Sequence, residues 1–211
     1  MAKKDHWESV YQTKASSAVS WFAPHLATSL KFIESTGLDK AACIIDVGGG
    51  ASTLVDDLLL RGYKNITVVD LASSALAAAQ QRLGDQAAQV EWLAGDITQL
   101  TLPRGKYAIW HDRAVFHFLT DAADRREYIK QVCCAVKEGG YVILATFGPR
   151  GPEQCSGLPV ARYSAEQLHG IFGEPFQFVS QATVEHETPI GKQQEFVYCC
   201  CRKNAECQGG N

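Results

Sequence analysis

Three consecutive glycines between an apolar run and an amphipathic one constrain this chain more than any other feature. Residues 43–47 (CIIDV) are short, apolar and partly β-branched. Gly48, Gly49 and Gly50 follow, and from residue 52 to 61 the apolar Leu54, Val55, Leu58 and Leu59 recur before Gly62. The first run reads as a strand and the second as a helix stopped by glycine. Glycines at such a junction let the backbone take positive φ and let a ligand approach the main chain closely. The unpaired N–H groups at the start of the helix can receive an anion or a polar group. In an open sheet this crevice lies at the carboxyl ends of the strands, near the switch in strand order.

The same alternation continues along the chain. Residues 66–69, 89–93, 107–110 and 141–146 read as strands, and 25–36, 73–83, 121–136 and 164–171 as helices. Ser73 or Ser74 is the expected cap of the second βα helix and Asp121 that of the helix from 121. In this reading His111 and Asp112 sit at the end of the fourth strand, and Arg113 opens a short helical stretch. Residues 148–162, rich in glycine and proline, read as a long loop. Two β-rich runs, 176–184 and 195–201, close the domain as an antiparallel pair. Strands and helices in this order predict an α/β, doubly wound, mostly parallel sheet. The 211 residues fit one domain over 1–203, with 1–24 as an N-terminal lid, 148–163 as an acceptor-side loop and 204–211 as a frayed tail.

Bulk properties narrow the partners. The formal net charge is -3 and no Lys/Arg block appears, so no nucleic-acid footprint is indicated. No apolar run reaches the roughly 18 residues of a membrane span, and MAKKDHWESVYQ lacks the apolar core of a secretory signal. A cytoplasmic protein with no membrane partner is the expectation. The eight cysteines contain no CxxC, and Cys199, Cys200 and Cys201 must alternate faces of a strand. They read as reduced, mostly buried thiols and not as a metal site. Cys155 stands apart, in the loop.

Three carboxylates fall just at or past successive strand ends: Asp46, Asp70 and Asp96. Asp70 can accept two hydroxyl hydrogen bonds from a ribose. Asp96 can accept from the exocyclic amine of adenine, with Ile97 beside the ring. Singly, each has a plainer reading: Asp46 holds the glycine turn, Asp70 caps a helix, Asp96 makes an Asx turn. Together they outline an adenosine along the sheet edge. A dinucleotide dehydrogenase would prefer G-x-G-x-x-G, whose last position here is Thr53.

In these residues the chain resembles the class I S-adenosylmethionine-dependent methyltransferases, over 43–146 and more loosely elsewhere. That family's acid-x-G-x-G-x-G motif falls on Asp46, Gly48, Gly50 and Ser52, with Ser52 in place of the last glycine. The resemblance implies S-adenosyl-L-methionine as cofactor, left as S-adenosyl-L-homocysteine after transfer. It implies Gly48, Gly49 and Gly50 beside the methionine portion, Asp70 and Leu71 at the ribose, and Gly95, Asp96 and Ile97 at the adenine. It also implies a Rossmann-like seven-stranded sheet with an antiparallel last strand.

The acceptor is read from 110–119 (WHDRAVFHFL) and from the presumed lid. His111 is a candidate general base or cofactor contact. Asp112 and Arg113 are either catalytic or a pair that orients the loop. Phe116, Arg162 and Tyr163, with Trp7, Tyr11 and Trp21, are candidate acceptor contacts, or the N-terminal aromatics simply anchor the segment to the core. His117 reads as a packed or half-exposed histidine. The Asp-Arg pair is similar to text in thiopurine- and thiol-type S-methyltransferases and in some protein-lysine methyltransferases, and does not decide between them. A small-molecule acceptor, of thiol type by that likeness, is the expectation. A protein-lysine acceptor and a non-catalytic cofactor-binding interaction protein are the alternatives. Because a sulfonium methyl is already activated, no metal is expected.

Overall fold

The computed structural model describes residues 3–204. Its elements in chain order are α1 (Lys3–Thr13), α2 (Ala27–Ser35), β1 (Cys43–Val47), α3 (Leu54–Leu60), β2 (Asn65–Asp70), α4 (Ser73–Leu83), β3 (Val90–Ala94), β4 (Tyr107–Arg113), α5 (Ala122–Ala135), β5 (Val136–Phe147), β6 (Gln154–Cys155), β7 (Leu158–Pro159), α6 (Ala165–Phe172), β8 (Phe176–Glu187) and β9 (Gln193–Lys203). Seven strands form one sheet in the order β3-β2-β1-β4-β5-β9-β8. The first five run parallel, and β9 is antiparallel to both β5 and β8. This is the doubly wound α/β sheet expected from the alternation, in the seven-stranded Rossmann-like form that the family resemblance implies. The strand order reverses at β1, which pairs with β2 on one side and β4 on the other, so a crevice opens beyond Val47.

Alternation along the strands divides the core. Ile44, Val68, Ile109 and Ile143 point to one face and pack with Leu30 and Ile33 of α2, Leu58 of α3 and Leu76 of α4. Ile45, Val69, Trp110 and Val142 point to the other and pack with Tyr128 and Val132 of α5 and Leu168 of α6. A side chain such as Leu58, fully buried, contributes about 1.5–3 kcal/mol by leaving water. Parallel strands covered on both faces need this near-continuous apolar text.

Several expectations are corrected. The strand β4 extends to Arg113, because Asp112 and Arg113 continue the parallel pairing with Leu144 and Ala145 of β5; helical turns resume only at Phe116–Phe118. Residues 3–13, read only as a polar aromatic lid, are a helix. The expected loop 148–162 contains the β6–β7 hairpin, and Cys155 within it is buried. Neither Ser73 nor Ser74 caps α4 through its side chain. Instead Glu8 of α1 accepts from the backbone N–H groups of Ser73 (2.7 Å) and Ser74 (3.1 Å). Asp121 does cap α5, accepting from Ala123 N. Lys203 is no frayed end: its ammonium donates to the carbonyls of Cys133 and Val136, and Asn204 N bonds to Pro175 O. The rest of the expected tail lies outside the described residues. Among the described residues no helix is long and apolar enough to cross a membrane, and no cluster of His, Cys, Asp and Glu is arranged to hold a metal.

Candidate active site

The glycine turn folds back over β2. Gly48 N and Gly49 N both donate to Val69 O, at 2.7 and 3.2 Å. Gly48 has φ +71°, a conformation open to glycine, and a Cβ there would overlap the Cγ2 of Val115. A Cβ on Gly50 would overlap the Asp70 carboxylate. Ser52, in the motif's last position, uses its hydroxyl to accept from Leu54 N at 3.2 Å and so starts α3. Arg82 of α4 donates to Ala51 O and Ser52 O while pairing with Asp56, which holds the turn from behind.

Asp70 ends β2 beneath this turn. Its Oδ2 accepts from Gly50 N at 3.1 Å and its Oδ1 from Ala72 N at 2.8 Å. Each oxygen keeps a second lone pair for a ligand. Burial pushes its carboxyl up to about 6, against the pull of these two N–H bonds. Asp96 follows β3, where Gly95 N is tied to Asp70 O at 2.9 Å. Its Oδ1 accepts from the Thr98 N–H and hydroxyl, an Asx turn that fixes the carboxylate at the rim.

The β4 extension separates three residues the sequence had grouped. Side chains alternate along a strand, so His111 and Arg113 point to one face and Asp112 to the other. His111 is buried. Its Nδ1 lies 2.7 Å from Asp46 Oδ1 and its Nε2 2.9 Å from Ser29 Oγ, which in turn lies 3.2 Å from the Tyr198 hydroxyl. The other oxygen of Asp46, Oδ2, is buried with no hydrogen-bond partner. Asp112, fully buried, accepts from the Tyr128 hydroxyl at 2.6 Å and from Val115 N and Phe116 N. Burial raises its carboxyl to about 6. Thus Asp112 shapes the turn after β4 from inside. His117 is likewise fully buried, and its imidazole is pushed down to about 3 by burial and by the Arg113 charge.

A cleft enclosing about 900 Å³, its open mouth included, runs across the ends of β2, β1 and β4. Asp70, Leu71, Gly95, Asp96 and Ile97 line one end, and Gly48 lies at its middle. Trp7, Tyr11, Trp21, Arg113, Phe118 and Cys155 line the other. The aromatics interlock: Trp7 meets Phe118 at 5.1 Å and Trp21 at 5.7 Å between ring centroids, both edge to face. A smaller adjoining space of about 470 Å³ touches Asp46, Gly48, Gly49 and His111. Helix α1 roofs the cleft, latched to α4 by Glu8 and to α5 by the Lys3–Asp124 ion pair at 2.6 Å.

The structure does not bring Phe116, Arg162 or Tyr163 to the cleft lining. Phe116 is fully buried between Tyr128 and Tyr163. Arg162 turns back to Glu153 Oε1, at 2.9 Å, and to Gly151 O. The sequence reading omitted Glu8, Val115, Phe118 and Cys155. Val115 and Phe118 lay in the segment it singled out, and their 3-residue spacing on a tight turn was the available signal. Nothing local marks Glu8, whose partners are 65 and 66 residues away.

The donor set fits S-adenosylmethionine: an orphaned buried acceptor at Asp46 for its ammonium, a glycine surface for its backbone-like chain, a diol acceptor at Asp70 and an amine acceptor at Asp96. Residues 44–140 match a family model described as a methyltransferase domain. Among curated relatives, the mouse eEF1A lysine and N-terminal methyltransferase is 24% identical over 140 residues, covering 66% of this chain and 20% of that protein. The malonyl-[acyl-carrier protein] O-methyltransferase of Paenibacillus sp. (strain JDR-2) is 27% identical over 157 residues, covering 72% of this chain and 54% of that protein. The chain therefore spans about a fifth and about half of these two relatives. A solved structure described as converting a disulfide bond into a thioacetal group during echinomycin biosynthesis superposes with TM-score 0.78 at 14% identity, over 97% of this chain and 94% of that one. The Burkholderia thailandensis 1,6-didemethyltoxoflavin-N1-methyltransferase, solved with its substrate and S-adenosylhomocysteine, gives 0.68 at 18% identity, over 95% and 87%.

Proposed function

Because the chain carries a class I S-adenosylmethionine-dependent methyltransferase domain over residues 44–140, we propose that it methylates a small-molecule acceptor held in the cleft roofed by α1. The observation that carries this reading is the roof itself. Trp7, Tyr11 and Trp21 close the acceptor end of the same cleft whose other end presents Asp70 and Asp96. Such a roofed aromatic cleft suits a compact ligand better than a flat protein surface.

In this reading Asp70 takes the ribose diol, Asp96 the adenine amine and Asp46 Oδ2 the ammonium. The main chain of Gly48–Gly50 lies against the methionine portion. Bound there, S-adenosylmethionine supplies a methyl group on a sulfonium, and the electron pair of the broken bond stays on sulfur. The chain contributes alignment and exclusion of water. Holding donor and acceptor in line is worth up to about 7–11 kcal/mol of the barrier. His111, buried with both ring nitrogens engaged, acts through Asp46 as a positioning residue. Asp112 fixes the turn that carries Val115 against Gly48. Arg113 faces the acceptor. The sequence likeness to thiol-type enzymes and the sulfur chemistry named for the echinomycin protein favour a sulfur acceptor. The reading keeps the cytoplasmic location expected above.

A second reading, methylation of protein lysine, is favoured by the named activity of the mouse relative. Cell extract incubated with methyl-labelled cofactor and the protein separates the two. Label in the small-molecule fraction is expected. Label in protein bands would sink the first reading, and tight cofactor binding with no labelled product in either fraction would point to a non-catalytic binding protein.

A further inference from the structure

The acceptor end of the cleft holds a cation that no described residue neutralises. Of the charged groups lining the cleft, Asp70 and Asp96 lie at the adenosine end, and Lys3 and Asp124 pair with each other at the rim. Arg113 remains. Its guanidinium is half-buried and stacks over the Phe196 ring at 4.3 Å. Of its five donors, Nη1 is used, bonding to Trp21 O at 2.9 Å. Among the described residues no carboxylate lies within ion-pair distance of it. Asp46, which lines the adjoining space with Arg113, forms no ion pair with it and gives its Oδ1 to His111. Its charge bears on His117, His186 and Cys155. Burial holds both histidines below their ordinary range and the Cys155 thiol at about 11, so at neutral pH none supplies a negative partner.

A half-buried guanidinium with unused donors, in a cleft that Trp21, Tyr11 and Trp7 also line, is a preformed receptor for a planar anion. It also repels an ammonium, and no carboxylate lines that end to offset the repulsion. We infer that Arg113 selects the acceptor: an aromatic or otherwise flat apolar molecule that enters as an anion, through a carboxylate or an acidic thiol. This rests on the methyltransferase reading and names the substrate class of its site. The same geometry disfavours a protonated lysine side chain.

An isosteric series tests it without knowledge of the natural acceptor. The full chain is first titrated with S-adenosylhomocysteine; absence of binding would remove the methyltransferase reading itself. Protein saturated with S-adenosylhomocysteine is then titrated with benzoate, benzamide and benzylammonium. Benzoate is expected to bind about tenfold tighter than benzamide, the lower scale of a hydrogen bond to a charged group, with benzylammonium weakest. Arg113→Gln should erase the preference for benzoate and leave S-adenosylhomocysteine affinity within about twofold, while Arg113→Lys keeps part of the preference. Benzylammonium binding as tightly as benzoate, or no preference of benzoate over benzamide, would overturn the inference. So would an Arg113→Gln protein that loses S-adenosylhomocysteine but retains 5′-methylthioadenosine, because Arg113 would then serve the cofactor's own carboxylate. If the glutamine variant does not fold, the lysine variant and the parent's ligand ranking still decide.

Discussion

Replacing Asp70 by Asn isolates the charge at the centre of the cofactor site with almost no change of shape. The carboxylate already accepts from Gly50 N and Ala72 N, and in the proposed complex it accepts from two ribose hydroxyls as well. Hydrogen bonds to a charged group contribute about 1.5–3 kcal/mol each against about 1 kcal/mol for neutral ones. Asparagine keeps one acceptor oxygen, so one ribose bond becomes neutral and the other faces an NH₂ group. The net loss is about 2–3 kcal/mol, which is roughly 30- to 150-fold in dissociation constant. The amide nitrogen also meets Gly50 N or Ala72 N, a donor against a donor, which costs the fold about 1–3 kcal/mol. Calorimetric titration with S-adenosylhomocysteine near neutral pH, with a thermal melt to confirm folding, measures both. A folded Asp70→Asn protein that binds S-adenosylhomocysteine within twofold of the parent would refute the role of this carboxylate in the site.

Further outcomes follow from the same geometry. Since burial raises the Asp70 carboxyl to about 6 and its ionised form is the acceptor, cofactor affinity should be flat above that pH and fall about tenfold per unit below it; a profile unchanged by Asp70→Asn would assign the slope elsewhere. Folding of the ligand-free protein runs the other way, because an acid whose folded pKa lies above its unfolded value disfavours the fold as pH rises from about 4 to 6. Gly48→Ala should abolish tight cofactor binding, since its Cβ overlaps Val115 and its φ is positive; adding Val115→Ala relieves the overlap but not the backbone strain, of order 1 kcal/mol, so full recovery in the double variant would contradict this. Glu8→Ala removes both capping bonds to α4 and should loosen the roof by about 1 kcal/mol, read as faster hydrogen exchange in residues 3–13 and faster release of S-adenosylhomocysteine; unchanged exchange there would mean that the aromatics alone hold α1. His111→Ala should weaken cofactor binding less than Asp70→Ala does, because His111 reaches the ligand only through Asp46; the reverse order in paired titrations would overturn that ranking.

The parts of this protein that rest on local pattern were legible in its sequence. The CIIDV run, the glycines and the helical spacing of Leu54, Val55 and Leu58 determine a βα unit by themselves, and the repeated alternation determines the sheet. Asp46, Asp70 and Asp96 were legible because a parallel sheet puts successive strand ends on one edge. What escaped depends on contacts between distant segments. The sequence offers no sign that Glu8 will cap a helix starting at Ser73, or that Ser29, itself beside the Tyr198 hydroxyl, will meet His111. The end of β4 escaped for a different reason. His-Asp-Arg is polar text that reads as the end of a strand running into a helical turn, yet the pairing with β5, the bond from Tyr128 and the bond to Asp46 satisfy it inside the fold. A shift of three residues in that boundary changes which side chains share a face, and so splits neighbours in sequence into a buried support, a buried turn anchor and a cleft-facing cation.

The central claim is that the cleft across β1, β2 and β4 holds S-adenosylmethionine with its methyl toward the aromatic chamber. A diffraction structure of the complex with S-adenosylhomocysteine tests it most directly. The ribose diol is expected within hydrogen-bond distance of Asp70, the adenine amine at Asp96, and the thioether sulfur facing the space bounded by Trp7, Tyr11, Trp21 and Arg113. Ligand density outside this cleft, or a sulfur turned away from that aromatic space, would contradict it.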